Sequence, residues 1–206
     1  MNTKKNNLLR INKETNYIVS GFMRTGTSMM MRALEEGGME AVYKQSRDVM
    51  KNRYADEHYD PNIGGLYELD GKDYGTVDFP NKYKGKLIKC LGPGIIRMRP
   101  MPIIKMVFMR RDAEEIRQSY EGFFGKPFSA TSERIEVVNQ KFLENAKNRR
   151  DIKSLDIFWY KEVIENPKKY FQILKDNGWP INVGKAVLVV NPKLYRFRKE
   201  KLTIGI

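Results

Sequence analysis

The sequence predicts an α/β protein with a mostly parallel central sheet and helices on both faces. Apolar, β-prone runs alternate with helical patterns along most of the chain, as in sheets built from βαβ units. Residues 103–109 are nearly continuous in apolar side chains, which is typical of a central parallel strand. A loop of small and hydroxyl residues joins the first predicted strand to the first predicted helix, where such sheets bind ligands.

The first half of the chain begins with a clear strand, loop and helix. Residues 17–20 are β-prone, and the helix over residues 29–36 is expected to end at the following glycine pair. Less regular elements follow: a strand at 40–43, a helix at 44–53, and a stretch at 54–85 with little periodicity. A long irregular stretch within a compact domain is usually functional. The next strand, at 87–91, is expected to end at Gly92-Pro93-Gly94.

The second half alternates more regularly. After strand 103–109, Asp112 is predicted to cap a helix, with Glu115 completing a capping box and Ile116 and Tyr120 facing inward. An amphipathic helix follows at 132–148. The remaining elements are a strand at 155–160, a helix from Asn166-Pro167 to Gly178, a short helix at 184–190 and a basic tail at 191–206. No boundary divides the chain, so residues 1–206 are expected to form one domain.

Composition excludes several kinds of site. The chain has one cysteine, Cys90, and one histidine, His58, so a disulfide framework, a multi-cysteine metal site and a two-histidine metal motif are excluded. We therefore expect no metal. No apolar run approaches the ~18 residues of a membrane span, and the polar N-terminus lacks a signal-peptide core, so a cytoplasmic protein without a membrane partner is expected. The net charge of +13 predicts an anionic ligand.

The loop at residues 21–28 has the composition of an anion site. Gly21 and Gly26 allow the backbone amides to approach a ligand closely at a helix N-terminus, where the helix dipole is positive. The loop also offers a charge and several hydroxyl donors, from Arg24, Thr25, Thr27 and Ser28. It lacks the Gly-Lys-Ser/Thr of a Walker A loop.

In a second segment, an arginine precedes a predicted helix and a serine lies about two turns into it. Arg111 follows the apolar strand, and Ser119 lies seven residues after Asp112, about two helical turns on. The serine therefore shares a helical face with the cap, so that it and Arg111 can hold one phosphate together.

The two segments together resemble the sulfotransferases that use 3′-phosphoadenosine 5′-phosphosulfate (PAPS). The match covers residues 22–28 and 108–120, and weaker similarity continues through residues 159–167 and 177–180. The resemblance implies that the loop binds the 5′ end of the donor and that Arg111 and Ser119 bind its 3′-phosphate. It implies a donor site built from residues 20–30 and 108–120. It also sends Arg196 and Arg198 of the basic tail back over the donor phosphates.

The sequence departs from the family at the catalytic step. Met23 stands where proline is usual, and the Lys-x-His of the cytosolic branch keeps only Lys89, with Leu91 at the histidine position. Arg24 and Lys89 are then expected to stabilise the leaving oxygen. Another residue must act as the base, and Glu68, in the acceptor-side segment 44–85, is the first candidate. His58 and Asp70 are the alternatives.

The resulting hypothesis is a sulfotransferase that moves a sulfuryl group from PAPS to a hydroxyl or amine. The acceptor would be a small molecule, a glycan or a peptide; the sequence does not identify it. The alternatives are a P-loop-type kinase and a nucleotide-binding protein that has lost catalysis. A nucleic-acid binder is less favoured, because the charge suits it but no recognised RNA module or zinc finger is present.

Overall fold

The computed structural model describes residues 14–42, 67, 69 and 73–195. Within them, five parallel strands form one sheet in the order β2-β3-β1-β4-β5. The strands are β1 (Thr15–Gly21), β2 (Ala41–Val42), β3 (Leu87–Lys89), β4 (Ile103–Arg110) and β5 (Ile152–Trp159). The predicted fold class, an α/β protein with a parallel central sheet and helices on both faces, is confirmed.

Helices cover both faces of this sheet. They are α1 (Thr27–Glu36), α2 (Phe79–Lys82), α3 (Gly92–Arg97), α4 (Ala113–Phe124), α5 (Ser132–Lys147), α6 (Tyr160–Glu165), α7 (Pro167–Asp176) and α8 (Val183–Val189). Two 3₁₀ turns, Asp73–Gly75 and Pro192–Leu194, complete the described elements. No described helix has the length and apolar character needed to cross a bilayer.

Alternation along β1 divides the core into two clusters, one on each face of the sheet. Tyr17 and Val19 pack with residues of α1, α7 and α8, whereas Ile18 packs with residues of α3 and α5. All three side chains are fully buried or nearly so. A central parallel strand must be apolar on both faces for this reason, which explains the apolar runs in the sequence.

The strand register brings the candidate site residues to one end of the sheet. Gly21 at the end of β1 pairs with Met109 of β4, and Val19 pairs with Lys89 at the end of β3. The loop after β1, the end of β3 and the segment after β4 are therefore neighbours. This is the edge at which open α/β sheets bind ligands.

The prediction that Gly92-Pro93-Gly94 only ends a strand was incomplete, because these residues begin helix α3. A Cβ added at Gly92 would lie 1.9 Å from the Phe142 ring, so the absence of a side chain at this position allows α5 to pack closely against α3. Strand β5 also begins three residues earlier than predicted, and Tyr160 starts α6. The helix predicted at 44–53 and most of the irregular stretch lie outside the described residues.

Candidate active site

The loop between β1 and α1 depends on two glycines. Gly21 has φ +145°, and a Cβ there would lie 2.5 Å from the carbonyl oxygen of Met109. Gly26 has φ +90°, and a Cβ there would lie 2.3 Å from the Tyr160 ring. Arg24 also has a positive φ, of 65°, which is uncommon for a residue with a side chain. The loop is therefore packed tightly between β4 and α6 in a conformation that only a few residue types adopt.

Helix α1 begins directly after this loop and presents its positive end there. Gly26 is the N-cap residue, makes no side-chain cap, and is followed by a first turn without an acidic residue. Thr27 and Ser28 are the first two helical residues and are buried. The Thr25 hydroxyl donates to the carbonyl oxygen of Phe22 at 2.7 Å, so it closes the loop rather than facing outward. The amides at this helix start suit an anion.

Lys89 reaches this helix start from the end of β3. Its Nζ donates to Ser28 Oγ at 3.1 Å, and its side chain is 3% exposed. Gly21 and Gly26 have the glycine spacing of a Walker A loop, but Thr27 occupies the position of the Walker lysine. Lys89, which the resemblance placed beside the leaving oxygen, brings its ammonium to this helix start from β3. Its contact with Ser28 was not evident from the sequence.

The second predicted segment contacts the loop directly. Arg111 Nη1 donates to the carbonyl oxygen of Arg24 at 3.2 Å. Arg24 Nε donates to Ser119 Oγ, also at 3.2 Å, and its guanidinium lies 4.3 Å from the centre of the Phe123 ring. The structure thus brings together the arginine and the serine predicted from spacing, and it adds Arg24 to them.

Glu115 does more than the predicted capping box required. Asp112 caps α4 as expected, accepting from the amides of Glu114 and Glu115. The Glu115 carboxylate, however, accepts from Arg111 Nε at 3.0 Å and from the Tyr195 hydroxyl at 2.8 Å. Both side chains of the Arg111–Glu115 ion pair are at most 7% exposed. Tyr120, predicted to face inward, is only half-buried.

Two tyrosines that sequence reasoning missed enclose Arg111. Its guanidinium lies 4.9 Å from the Tyr160 ring centre and 5.3 Å from that of Tyr195. The two rings meet edge to face at 5.1 Å. Burial, followed by the hydrogen bond to Glu115, raises the pKa of the Tyr195 hydroxyl still further above neutrality, and the hydroxyl donates to that carboxylate. Tyr160 lies within the predicted strand 155–160 and Tyr195 within the predicted basic tail, but nothing in the sequence indicated that either contacts Arg111.

Other predicted site residues lie outside the described part of the chain. They are His58, Glu68, Asp70, Arg196 and Arg198. Two neighbours of Glu68 are described. Tyr67 is buried and donates to the Glu35 carboxylate, and Leu69 is buried in the cluster on the other face of the sheet. Among the described residues, no group of three or more acidic, histidine or cysteine side chains is arranged to hold a metal.

Comparison with known proteins does not identify the family of this chain. No protein-family model and no curated protein matches the sequence. Among solved structures, a sugar kinase from Janibacter sp. HTCC2649, solved without ligand, is similar over 86% of this chain and 98% of its own. The identity is 14% and the TM-score is 0.37. A likeness of this size does not extend to activity.

Proposed function

We propose that the chain is a sulfotransferase that uses PAPS as its sulfuryl donor. The observation that carries the proposal is the convergence of two clusters of cationic and hydroxyl side chains at one edge of the sheet, each of which would bind an anion. The first is the glycine loop with Lys89 and Ser28, and the second is Arg111 with Ser119. Arg24 contacts both residues of the second position. Its Nε donates to Ser119, and its carbonyl oxygen accepts from Arg111.

The residues present fit such a donor. PAPS carries phosphate groups at both its 5′ and 3′ ends, and each position on the protein offers a cation together with a hydroxyl. Charge-assisted hydrogen bonds of this kind are the strong ones in phosphate recognition. Helix α1 begins directly after this loop, and the backbone amides of its first turn suit a bound phosphate.

In this proposal, the protein positions both partners and stabilises charge. When bound, the donor supplies an activated sulfuryl group, whose bond to the 5′-phosphate oxygen breaks as the acceptor oxygen or nitrogen bonds to sulfur. Lys89 and the loop amides would neutralise the charge on the leaving oxygen. Arg24, expected in the same role from the sequence, instead directs its guanidinium to Ser119 of the second position. Glu68 would take the acceptor proton, with His58 and Asp70 as alternatives.

A P-loop-type kinase is the second candidate. Gly21 and Gly26 have Walker spacing, Ser28 occupies the position of the Walker hydroxyl, and Lys89 Nζ contacts it. The similar solved structure is a sugar kinase, but the likeness is too distant to decide between sulfuryl and phosphoryl transfer. A kinase would bind ATP with magnesium and would have no use for a 3′-phosphate position.

Donor consumption distinguishes these candidates whichever class of acceptor the protein uses. The purified chain is incubated with PAPS or with Mg-ATP and a mixed panel of phenols, aliphatic alcohols, amines and sugars. The sulfotransferase proposal predicts acceptor-dependent release of 3′-phosphoadenosine 5′-phosphate (PAP). Acceptor-dependent release of ADP would overturn it in favour of a kinase, and tight PAP binding without turnover would indicate lost catalysis.

A further inference from the structure

The Tyr195 hydroxyl makes an unusually complete contact with Glu115. It lies 2.8 Å from each oxygen of the carboxylate, in a pair that is 5% exposed on both sides. A hydroxyl has one proton to donate, so it is shared between the two oxygens or alternates between them. Either way, the carboxylate is held by the Tyr195 hydroxyl in addition to its ion pair with Arg111.

This contact closes a ring of interactions around the second anion position. Arg111 bonds to Glu115 and to the carbonyl oxygen of Arg24. Tyr195 joins Glu115 to the Tyr160 ring, and Tyr160 in turn packs against Gly26 of the loop. The orientation of Arg111 is therefore fixed from several directions, by residues of the loop, of α4 and of the chain after α8.

Glu115 poses an electrostatic problem for a phosphate at Arg111. It is a carboxylate within ion-pair distance of the guanidinium, so it competes with any other anion for that charge. The competition is tolerable only if the carboxylate stays on the Nε edge of the guanidinium. A second buried donor bonded to the carboxylate, such as the Tyr195 hydroxyl, would keep it there.

We propose that Tyr195 is a positioning residue that holds Glu115 on the Nε edge of Arg111 and thereby orients Arg111 for the 3′-phosphate of the donor. This inference rests on the proposed function, since it assigns a role within the same site. Tyr195 itself does not touch the ligand. Its effect is confined to ligands that carry a 3′-phosphate.

The test compares two tyrosine-to-phenylalanine variants of the full chain. Tyr195→Phe removes the hydroxyl and keeps the ring against Arg111. Tyr170→Phe is the matched control, because the Tyr170 hydroxyl donates to Glu162 at 2.7 Å in another tyrosine–glutamate pair, on α6 and α7, and its ring is likewise buried. Calorimetry gives the Kd of each protein for PAP and for adenosine 5′-phosphate (AMP), which lacks the 3′-phosphate.

We expect Tyr195→Phe to raise the Kd for PAP about tenfold, the usual value of one hydrogen bond to a charged group, while the Kd for AMP changes less than about twofold. Tyr170→Phe should change neither. A wild-type protein that prefers PAP, together with a Tyr195→Phe variant that keeps this preference, would overturn the inference alone. Equal weakening of both nucleotides would also overturn it, as a merely structural effect. A wild-type protein without the preference would overturn the proposed function as well.

A second variant tests the same role if Tyr195→Phe does not fold. Glu115→Asp keeps the charge but withdraws the carboxylate by one methylene from both Arg111 and Tyr195. It should show the same selective loss of PAP affinity. Unchanged PAP affinity in folded Glu115→Asp would show that the placement of this carboxylate is irrelevant to the site, and would contradict the inference.

Discussion

A hydrogen bond of 3.2 Å from Arg24 Nε to Ser119 Oγ joins two segments that are 95 residues apart in the sequence. One end belongs to the loop after β1 and the other to helix α4, which follows β4. The contact exists because β1 and β4 are adjacent parallel strands in register, so that both segments leave the sheet at the same edge. This contact joins the loop at residues 21–28 and the segment from Arg111 to Ser119 into one candidate site.

Replacement of Arg111 is expected to cost both affinity and stability. Arg111→Ala removes a charge-assisted phosphate contact worth about 1.5–3 kcal/mol, so PAP affinity should fall roughly ten- to hundredfold. It also leaves Glu115 buried without its cation, which costs about 3–5 kcal/mol of folding free energy. Urea unfolding and calorimetry on the same variant measure the two effects.

The double variant Arg111→Ala/Glu115→Gln separates the effect on PAP affinity from the effect on stability. Its stability should recover in part, because the uncompensated charge is gone, whereas its PAP affinity should remain low. Recovery of PAP affinity along with stability would mean that Arg111 supports the fold and does not bind the nucleotide.

A methyl group at Gly26 should disable the loop. In Gly26→Ala, the new Cβ meets the Tyr160 ring at 2.3 Å while the backbone remains at a positive φ. Gly125→Ala is the matched control, since Gly125 also has a positive φ, of 63°, but no atom lies within 4 Å of its added Cβ. The control should lose about 1–2 kcal/mol from backbone strain alone. Gly26→Ala should lose more, together with PAP binding; equal losses in the two variants would contradict the packing described at the loop.

Lys89 is expected to matter more for turnover than for binding. Lys89→Met removes the ammonium beside Ser28, and loss of one preorganised group at a developing charge typically lowers kcat by about 10²–10³. Lys105→Met is the control, because Lys105 Nζ donates to the carbonyl oxygens of Asn177 and Gly178 near the opposite end of the sheet. Sulfuryl transfer is measured at saturating PAPS. Wild-type kcat in Lys89→Met would remove this residue from the mechanism.

The proposed base is tested by Glu68→Gln. The amide keeps the shape of the side chain but does not accept the acceptor's proton, so turnover should fall by about 10²–10⁴. PAP affinity should stay at the wild-type value, because the donor positions are built from other segments. Full activity would move the role to His58 or Asp70, and a parallel loss of PAP affinity would show that Glu68 supports the donor side.

The sequence predicted those parts of the site that local patterns encode. The spacing from Arg111 to Ser119 follows from helical geometry, and the glycines of the 21–28 loop identify a tight strand-to-helix turn. The contact between Lys89 and Ser28 depends on the pairing of β3 with β1, which no local pattern contains. Helix α3 was missed for a similar reason. Its glycines serve close packing against Phe142 and Cys90, and in the sequence they look like a turn.

Tyr195 and Glu115 show the same limit at the level of single residues. Glu115 fits a capping box, and only the tertiary structure brings the Tyr195 hydroxyl to its carboxylate across 80 residues of sequence. Tyr195 lies in the basic tail, and in the sequence the charged residues of this tail suggest a function more clearly than the tyrosine does. Side-chain contacts between distant segments are set by packing, and a single sequence carries no direct record of them.

The central claim is that this edge of the sheet holds two anion positions, one for each phosphate end of a single nucleotide. Calorimetry with PAP and with AMP at the same ionic strength tests it most directly, because the two ligands differ only in the 3′-phosphate. We predict that PAP binds at least about tenfold more tightly than AMP, as expected for charge-assisted contacts from Arg111 and Ser119. Equal affinity for the two nucleotides would contradict the claim.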